Sequence, residues 1–256
     1  MKIAVCIKQV PTREWQPRID DSKRGVREQD ASFEMNEPDA YALEEALRLR
    51  EKHGGDVVVC TAGPARASQV LREALARGAD SAIHVEHDRL SSITTDSFVV
   101  AGALADAVRD EKFDLVLTGL QSDDQGAAQT GVILAERLGL PHATIVMDVQ
   151  VQESQVRVKR ELEGGWFQWV QMPLPALLTI QSGINQLRYA TLKGIMAAKK
   201  KEIRKVVPGS LPASHALVTG LDIPRKTKQT ELISGSPAEA ANVLITKLRD
   251  EARVIG

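Results

Sequence analysis

Phe113-Asp114-Leu115-Val116-Leu117-Thr118 is a largely apolar run of strand length, and Gly119 follows it. The chain passes directly into Leu120-Gln121-Ser122-Asp123-Asp124-Gln125-Gly126-Ala127-Ala128-Gln129-Thr130-Gly131, a tract of small and polar residues. A helical pattern follows from Ala127 onward and stops at Gly139-Leu140-Pro141, where Gly and Pro end it. Strand, small-residue loop and helix in that order form one half of a βαβ unit. Three more runs share the character of the first: Lys2 to Ile7, Asp56 to Thr61 and Ser81 to Val85. Helical patterns lie between them. Asn36-Glu37-Pro38-Asp39 has the chemistry of a helix start, with a capping Asn, an early Pro and an acid three residues on. Ala40, Leu43, Ala46 and Leu47 then recur at helical spacing. Gly63-Pro64 opens a second helix that closes near Gly78, and Thr95-Asp96 opens a third. Near-continuous apolar strands alternating with helices predict an α/β fold: a doubly wound, mostly parallel sheet with helices on both faces.

The style changes after Ala143. Ala143 to Val151, Val156 to Glu161, Trp166 to Met172 and Ala176 to Ile180 read as strands with no helix between them. Glu163-Gly164-Gly165 supplies the turn of an extra hairpin spanning 156–172. These strands either extend the sheet or form an arm. Residues 1–183 make up the α/β domain. Ile195 to Lys205 is a basic stretch, Val206 to Thr230 a linker, and Pro237 to Arg253 an amphipathic helix with Ala241, Leu244, Ile245 and Leu248 on one face. Pro11 to Met35 is long, charged and unpatterned, which suits a functional loop or a mobile flap.

Composition removes several classes of function. A chain of 256 residues with net charge −1 and 4% aromatic residues has neither the basic footprint nor the stacking surface of a nucleic-acid binder. Cys6 and Cys60 sit in apolar strand-like runs, as buried thiols of a reducing compartment do. There is no Cys-x-x-Cys or close His pair to suggest a metal. Met1-Lys2-Ile3-Ala4-Val5 enters a strand at once, leaving no signal peptide, and no apolar run approaches a membrane span. A cytoplasmic chain without membrane insertion is expected.

In an open parallel sheet, ligands bind beyond the carboxyl ends of the strands. Here those ends are Cys6-Ile7-Lys8, Thr61-Ala62-Gly63 and Thr118-Gly119-Leu120. The loop after Gly119 feeds a helix start, whose free N–H groups and dipole suit a phosphate. Gln129 and Thr130 add side-chain donors. Such a loop either binds a nucleotide or merely caps its helix, and the residues leave both readings open. Asp123 and Asp124 would repel a phosphate, so they must face away, cap the helix or bind ribose hydroxyls. Catalytic motifs are missing: no Gly-x-Gly-x-x-Gly follows the first strand, and there is no phosphate-loop lysine motif or Gly-x-Ser-x-Gly elbow. His53, His84, His87, His142 and His215 are scattered. The expectation is a binding protein without catalytic residues of its own.

Val158-Lys159-Arg160-Glu161-Leu162-Glu163-Gly164-Gly165, with Gln168-Trp169-Val170 and Pro175-Ala176-Leu177-Leu178-Thr179, resembles the signature of the electron-transfer flavoprotein beta subunit. Arg188-Tyr189-Ala190-Thr191-Leu192 is similar to that family's partner-recognition loop. Lys8, Met35-Asn36, Ala62-Gly63-Pro64 and Gln129-Thr130-Gly131 also have counterparts, so the likeness covers nearly the whole chain. It implies an adenine-nucleotide-binding type of fold and a heterodimer whose larger alpha subunit carries most contacts to a redox-active FAD. The beta chain would hold a structural AMP through Cys6, Asn36, Glu37, Pro38, Asp39 and Ala62. The loop would contribute Gly119, Leu120, Gln121, Ser122, Asp123, Asp124, Gln125, Gly126, Ala127, Ala128, Gln129 and Thr130.

The resemblance also implies that Tyr189, Ala190, Thr191 and Leu192 recognise flavin dehydrogenases, with Leu192 as an apolar knob. It implies that Glu161 approaches the flavin domain of the alpha subunit and that a membrane quinone oxidoreductase accepts the electrons. Residues 184–205 would then be a recognition loop with a basic segment, and 206–256 a linker and helix packing on the alpha subunit. Two alternatives stand beside this. Some branches bind a second FAD in place of AMP and bifurcate electrons, and a stand-alone stress-type nucleotide sensor would use the same sheet.

Overall fold

The computed structural model describes residues 1–90, 94–224 and 230–255. Residues 225–229 of the expected linker lie outside the described residues. The chain divides into two compact units, Met1–Leu221 and Asp222–Gly256.

The first unit opens with β1 (Lys2–Cys6), a short ribbon of β2 (Gln9–Pro11) and β3 (Phe33–Met35), and α1 (Glu37–His53). It continues through β4 (Asp56–Gly63), α2 (Ser68–Arg77), β5 (Ser81–Glu86), α3 (Ser97–Val108), β6 (Leu115–Gly119) and α4 (Thr130–Leu138). Then come β7 (His142–Gln152), β8 (Gln155–Glu161), β9 (Phe167–Pro173), β10 (Ala176–Ile180), α5 (Leu192–Ala198) and β11 (Ile203–Val206). The strands form a nine-stranded sheet in the order β11-β5-β4-β1-β6-β10-β7-β8-β9, with β2 and β3 outside it. All pairings from β11 to β7 are parallel, and β8 and β9 extend the sheet antiparallel.

Side chains alternate across the sheet, so each strand feeds two cores. Ile3 and Val5 of β1 pack with α1 and α2 on one face. Ala4 and Cys6 pack with α3 and α4 on the other. The sheet is thus doubly wound. Because β4 lies on one side of β1 and β6 on the other, the strand order reverses at β1, the place where ligands bind in such sheets. Cys6 stands level with Cys60 in β4 and with Thr118 in β6. Both cysteines are buried and free.

The strands after residue 143 settle the choice between sheet extension and arm: they extend the sheet. Other expectations need correction. The fourth helix begins at Thr130, not Ala127, because Gly126 (φ 62°) and Ala128 (φ 53°) take left-handed backbone that no helix continues through. The second begins at Ser68 after a 3₁₀ turn over Ala65–Ala67. The unpatterned 11–35 segment holds ordered pairing, with β2 against β3 and a bridge between Ile19 and Val26. The basic stretch after Ile195 contains the end of α5 and all of β11, which pairs with β5 at the sheet edge. At the opposite edge, Arg157 lies over the Trp169 ring (4.3 Å) and Lys159 over Phe167 (3.9 Å).

The second unit contains α6 (Pro237–Thr246), followed by a π-helical turn over Lys247–Glu251. The expected helix to Arg253 is therefore α-helical only to Thr246. A capping box between Ser236 and Glu239 starts it. No residue of α6 is buried within this chain.

Candidate functional site

The carboxyl ends of β1, β4 and β6 open onto one shared cleft, at the place where ligands bind in open parallel sheets. Of the residues expected to hold a nucleotide, Cys6, Asn36, Asp39, Ala62, Gly119, Leu120, Gln121, Ser122, Gln125, Ala127, Ala128, Gln129 and Thr130 line it. Glu37, Pro38, Asp123, Asp124 and Gly126 do not.

The start of α1 is built to hold that loop. Asn36 precedes the helix but does not cap it with its side chain. Its Nδ2 donates to the Gln121 carbonyl at 2.9 Å, and its Oδ1 accepts the Asp123 N–H at 2.9 Å. Asp39, one turn on, accepts the Gly119 N–H (2.8 Å) and the Lys8 N–H (2.7 Å) on separate carboxylate oxygens. One carboxylate thus ties the ends of β1 and β6 together at the strand-order reversal. Burial pushes its pKa up to about 7, against the pull of the Lys8 and Gly119 N–H groups, the Asn36 side chain and the Lys8 charge. Burial also pushes the Cys6 thiol well above its ordinary range, with Cys60 and Asp39 adding to the effect. Neither observation gives this thiol nucleophilic character.

The acidic residues of the loop are turned to cations. Lys8 Nζ contacts Asp124 (2.7 Å), Gln125 Oε1 (3.2 Å) and Ser122 Oγ (3.3 Å). Asp123 lies 3.8 Å from Arg13, which also pairs with Glu37. Of the three roles open to these acids, facing away fits: each has a cationic partner, and neither lines the cleft. At the far end of the loop, Gln129 precedes α4 without a side-chain cap, so the first-turn N–H groups of α4 are not answered by it. Gly131 lets that turn approach the sheet: a Cβ there would lie 2.7 Å from Thr118 Oγ1 and from Thr179 Cγ2.

Sequence reasoning missed two walls of the cleft. Arg66 and Ala67 line it from the 3₁₀ turn before α2, Thr95 from just ahead of α3, and Ser97, Val100 and Leu104 from α3 itself. Arg66 also stacks over Phe33 at 3.8 Å and pairs with Glu28 at 2.6 Å, fastening the 12–34 segment beside the cleft. The strand-end rule applied to β4 would have reached Arg66. The apolar α3 residues carry no signal beyond that of core.

The other expected residues lie away from the cleft lining. Arg188 reaches α1 and binds Glu44 (2.7 Å) and Glu51 (2.6 Å), fixing the chain just before Tyr189. Tyr189 and Leu192 are 90% and 78% exposed. Thr191 caps α5 through the Gly194 N–H at 3.0 Å, so Leu192 is the first residue of a helix where a loop was expected. Glu161 ends β8 and accepts from Gln181 at 3.4 Å. Among the described residues, no cluster of His, Cys, Asp and Glu suits a metal, and no helix is long and apolar enough to cross a membrane.

A family model for the electron transfer flavoprotein domain matches residues 24–210. Electron transfer flavoprotein subunit beta of Methylophilus methylotrophus is 37% identical over 258 aligned positions, covering 96% of this chain and 97% of the relative. The Bacillus subtilis protein of that name is 35% identical, covering 90% of this chain and 91% of its own. The human one is 33% identical, with 99% of each chain covered. Identity at this level over nearly full length, on a sheet whose strand ends form one cleft, places the chain in the electron transfer flavoprotein family, among its beta subunits.

Proposed function

We propose that this beta subunit holds AMP in the cleft at the ends of β1, β4 and β6. In this reading it pairs with a larger alpha subunit that carries most of the FAD contacts. The carrying observation is the start of α4: an uncapped helix N-terminus faces a cleft that also presents Lys8, Arg66 and apolar walls from α3. That combination suits a phosphate joined to a flat, largely apolar base. The brace of Asn36 and Asp39 keeps the loop in shape without drawing on the first-turn N–H groups of α4.

The FAD supplies the redox chemistry. This chain's part is to hold, orient and dock. Glu161 at the end of β8 is assigned to the contact with the alpha subunit's flavin domain. Tyr189, Ala190, Thr191 and Leu192 are assigned to recognition of flavin dehydrogenases, which an exposed Leu on a preset helix start suits. Electrons would leave toward a membrane quinone oxidoreductase, and the chain would work as a carrier in the cytoplasm.

The test is nucleotide extraction from the chain co-purified with its alpha subunit. One flavin and one AMP per heterodimer are expected. Two flavins and no AMP would move the cleft to a second FAD and an electron-bifurcating role. A chain that binds AMP yet ignores the alpha subunit would return it to the stand-alone sensor class.

A further inference from the structure

Asp96 sits between two residues of the cleft wall, Thr95 and Ser97, and its carboxylate does two jobs. One oxygen caps α3 by accepting the Phe98 N–H at 2.9 Å. The other accepts three donors from a distant stretch of chain: His215 N–H (2.6 Å), Ala216 N–H (3.0 Å) and Ser214 Oγ (3.0 Å). These bonds hold residues 211–216 as a strap across α3. Apolar contacts reinforce it. The His215 ring lies 4.1 Å from that of Phe98, whose ring also carries the Arg137 guanidinium of α4 at 4.1 Å. Pro212 fits over Gly102, where a Cβ would fall 2.6 Å from its Cγ. On the cleft side, Gln125 of the nucleotide loop donates to the Thr95 carbonyl at 3.1 Å. A continuous line of bonds therefore runs from Lys8 through Gln125, Thr95 and Asp96 to the strap.

We propose that Asp96 is a positioning residue of the cleft, and that it makes nucleotide binding and strap docking reinforce each other. The inference rests on the nucleotide reading of the cleft. The first turn of α3 is shared: a ligand packed on Thr95, Ser97 and Val100 fixes the same turn that presents Asp96 to the strap. Fixing the strap likewise lowers the ordering cost of that wall for the ligand. Such coupling is reciprocal, so each event strengthens the other by one common factor.

Two variants of the full chain separate the strap from the helix cap. Asp96→Ser keeps a good capping residue for α3 but is too short to reach the strap. His215→Pro leaves Asp96 intact and deletes one of the strap's two N–H donors together with the ring packed on Phe98. AMP is the probe, with its Kd measured by calorimetry and amide exchange followed over residues 211–216. AMP should slow exchange in the strap of the natural chain. Each variant should weaken AMP binding roughly fivefold or more, and the double variant by less than the two effects combined, because both act on one strap. Asp96→Ser should lower the unfolding midpoint more with AMP present than without it, whereas a purely structural role for the strap bonds would lower both equally. AMP bound equally well by the natural chain and both variants, or a strap whose exchange ignores AMP, overturns the coupling and leaves the nucleotide reading standing. No AMP binding to the natural chain overturns both.

Discussion

The carboxylate of Asp39 and the backbone of Gly119 meet so closely that a Cβ on Gly119 would lie 2.4 Å from Asp39 Oδ1. This contact joins the start of α1 to the end of β6, and through the Lys8 N–H to the end of β1. Gly119→Ala must push helix and strand apart. The expected cost is about 1–3 kcal/mol, as for other overpacked positions, read as a lower urea midpoint. Nucleotide binding should weaken as well, since the loop starts at this residue. An unchanged midpoint would show that the contact yields freely.

The same carboxylate gives stability a particular dependence on pH. Its pKa is about 7 in the folded chain against an ordinary value of 3.8, so the folded state binds the proton more tightly than the unfolded one. Its contribution is fully present below the ordinary value and is lost as pH rises through about 7. Comparing the natural chain with Asp39→Asn isolates the effect from other titrating groups. The stability difference between the two should shift against the natural chain from pH 5 to pH 8, by denaturant unfolding at each pH. A difference that stays constant would show that the N–H donors alone keep the group ionised.

Arg188 holds the docking residues by gripping Glu44 and Glu51 on α1, and the Glu44 side chain is 6% exposed. Arg188→Ala strands that carboxylate. A loss of about 1–3 kcal/mol is expected, the cost of an unsatisfied buried group, with faster tryptic cleavage at Lys193. Arg188→Lys should rescue little, because one ammonium cannot bind both carboxylates in the forked geometry. Full rescue by Lys would reduce the clamp to simple charge neutralisation.

Leu192 is exposed at the start of α5, so Leu192→Ala should leave stability within about 0.5 kcal/mol. The assigned docking role predicts slower electron acceptance by the heterodimer from its dehydrogenase, with no change in flavin content. Stopped-flow reduction of the flavin measures this. An unaltered rate would remove Leu192 from the interface.

Cys60 lies in mid-sheet, where burial pushes its thiol up to about 12. Cys6, level with it and lining the cleft, is raised too. Both should resist a thiol reagent in the folded chain at neutral pH and react fully in denaturant. Rapid native reaction of Cys6 alone would mark the cleft as open enough to admit the reagent.

The parallel half of the fold was legible because its strands are buried on both faces and read as unbroken apolar runs. Val57 to Cys60 and Leu115 to Leu117 are of this kind. Ile203-Arg204-Lys205-Val206 was not legible: only its two ends are partly buried, Ile203 on one core and Val206 on the other, and the charges between them leave no apolar run. Asn36 shows a subtler limit. Its sequence context announces a helix cap, yet the side chain bridges to a loop 85 residues away, where tertiary bonding outweighs the local choice. The loop side of the cleft followed from strand-end logic. The α3 side did not, since Val100 and Leu104 look the same whether they face a core or a ligand.

The last strand of the sheet, β9, ends it with a row of aromatic rings under cations from β8, Arg157 on Trp169 and Lys159 on Phe167. An uncovered strand edge invites pairing with another copy of itself. The edge strand itself carries no charge, and Arg157 and Lys159 set positive charge one strand in from it. The sheet thus ends in a bare backbone edge whose rings are sheathed by the aliphatic stems and charges of the strand behind it.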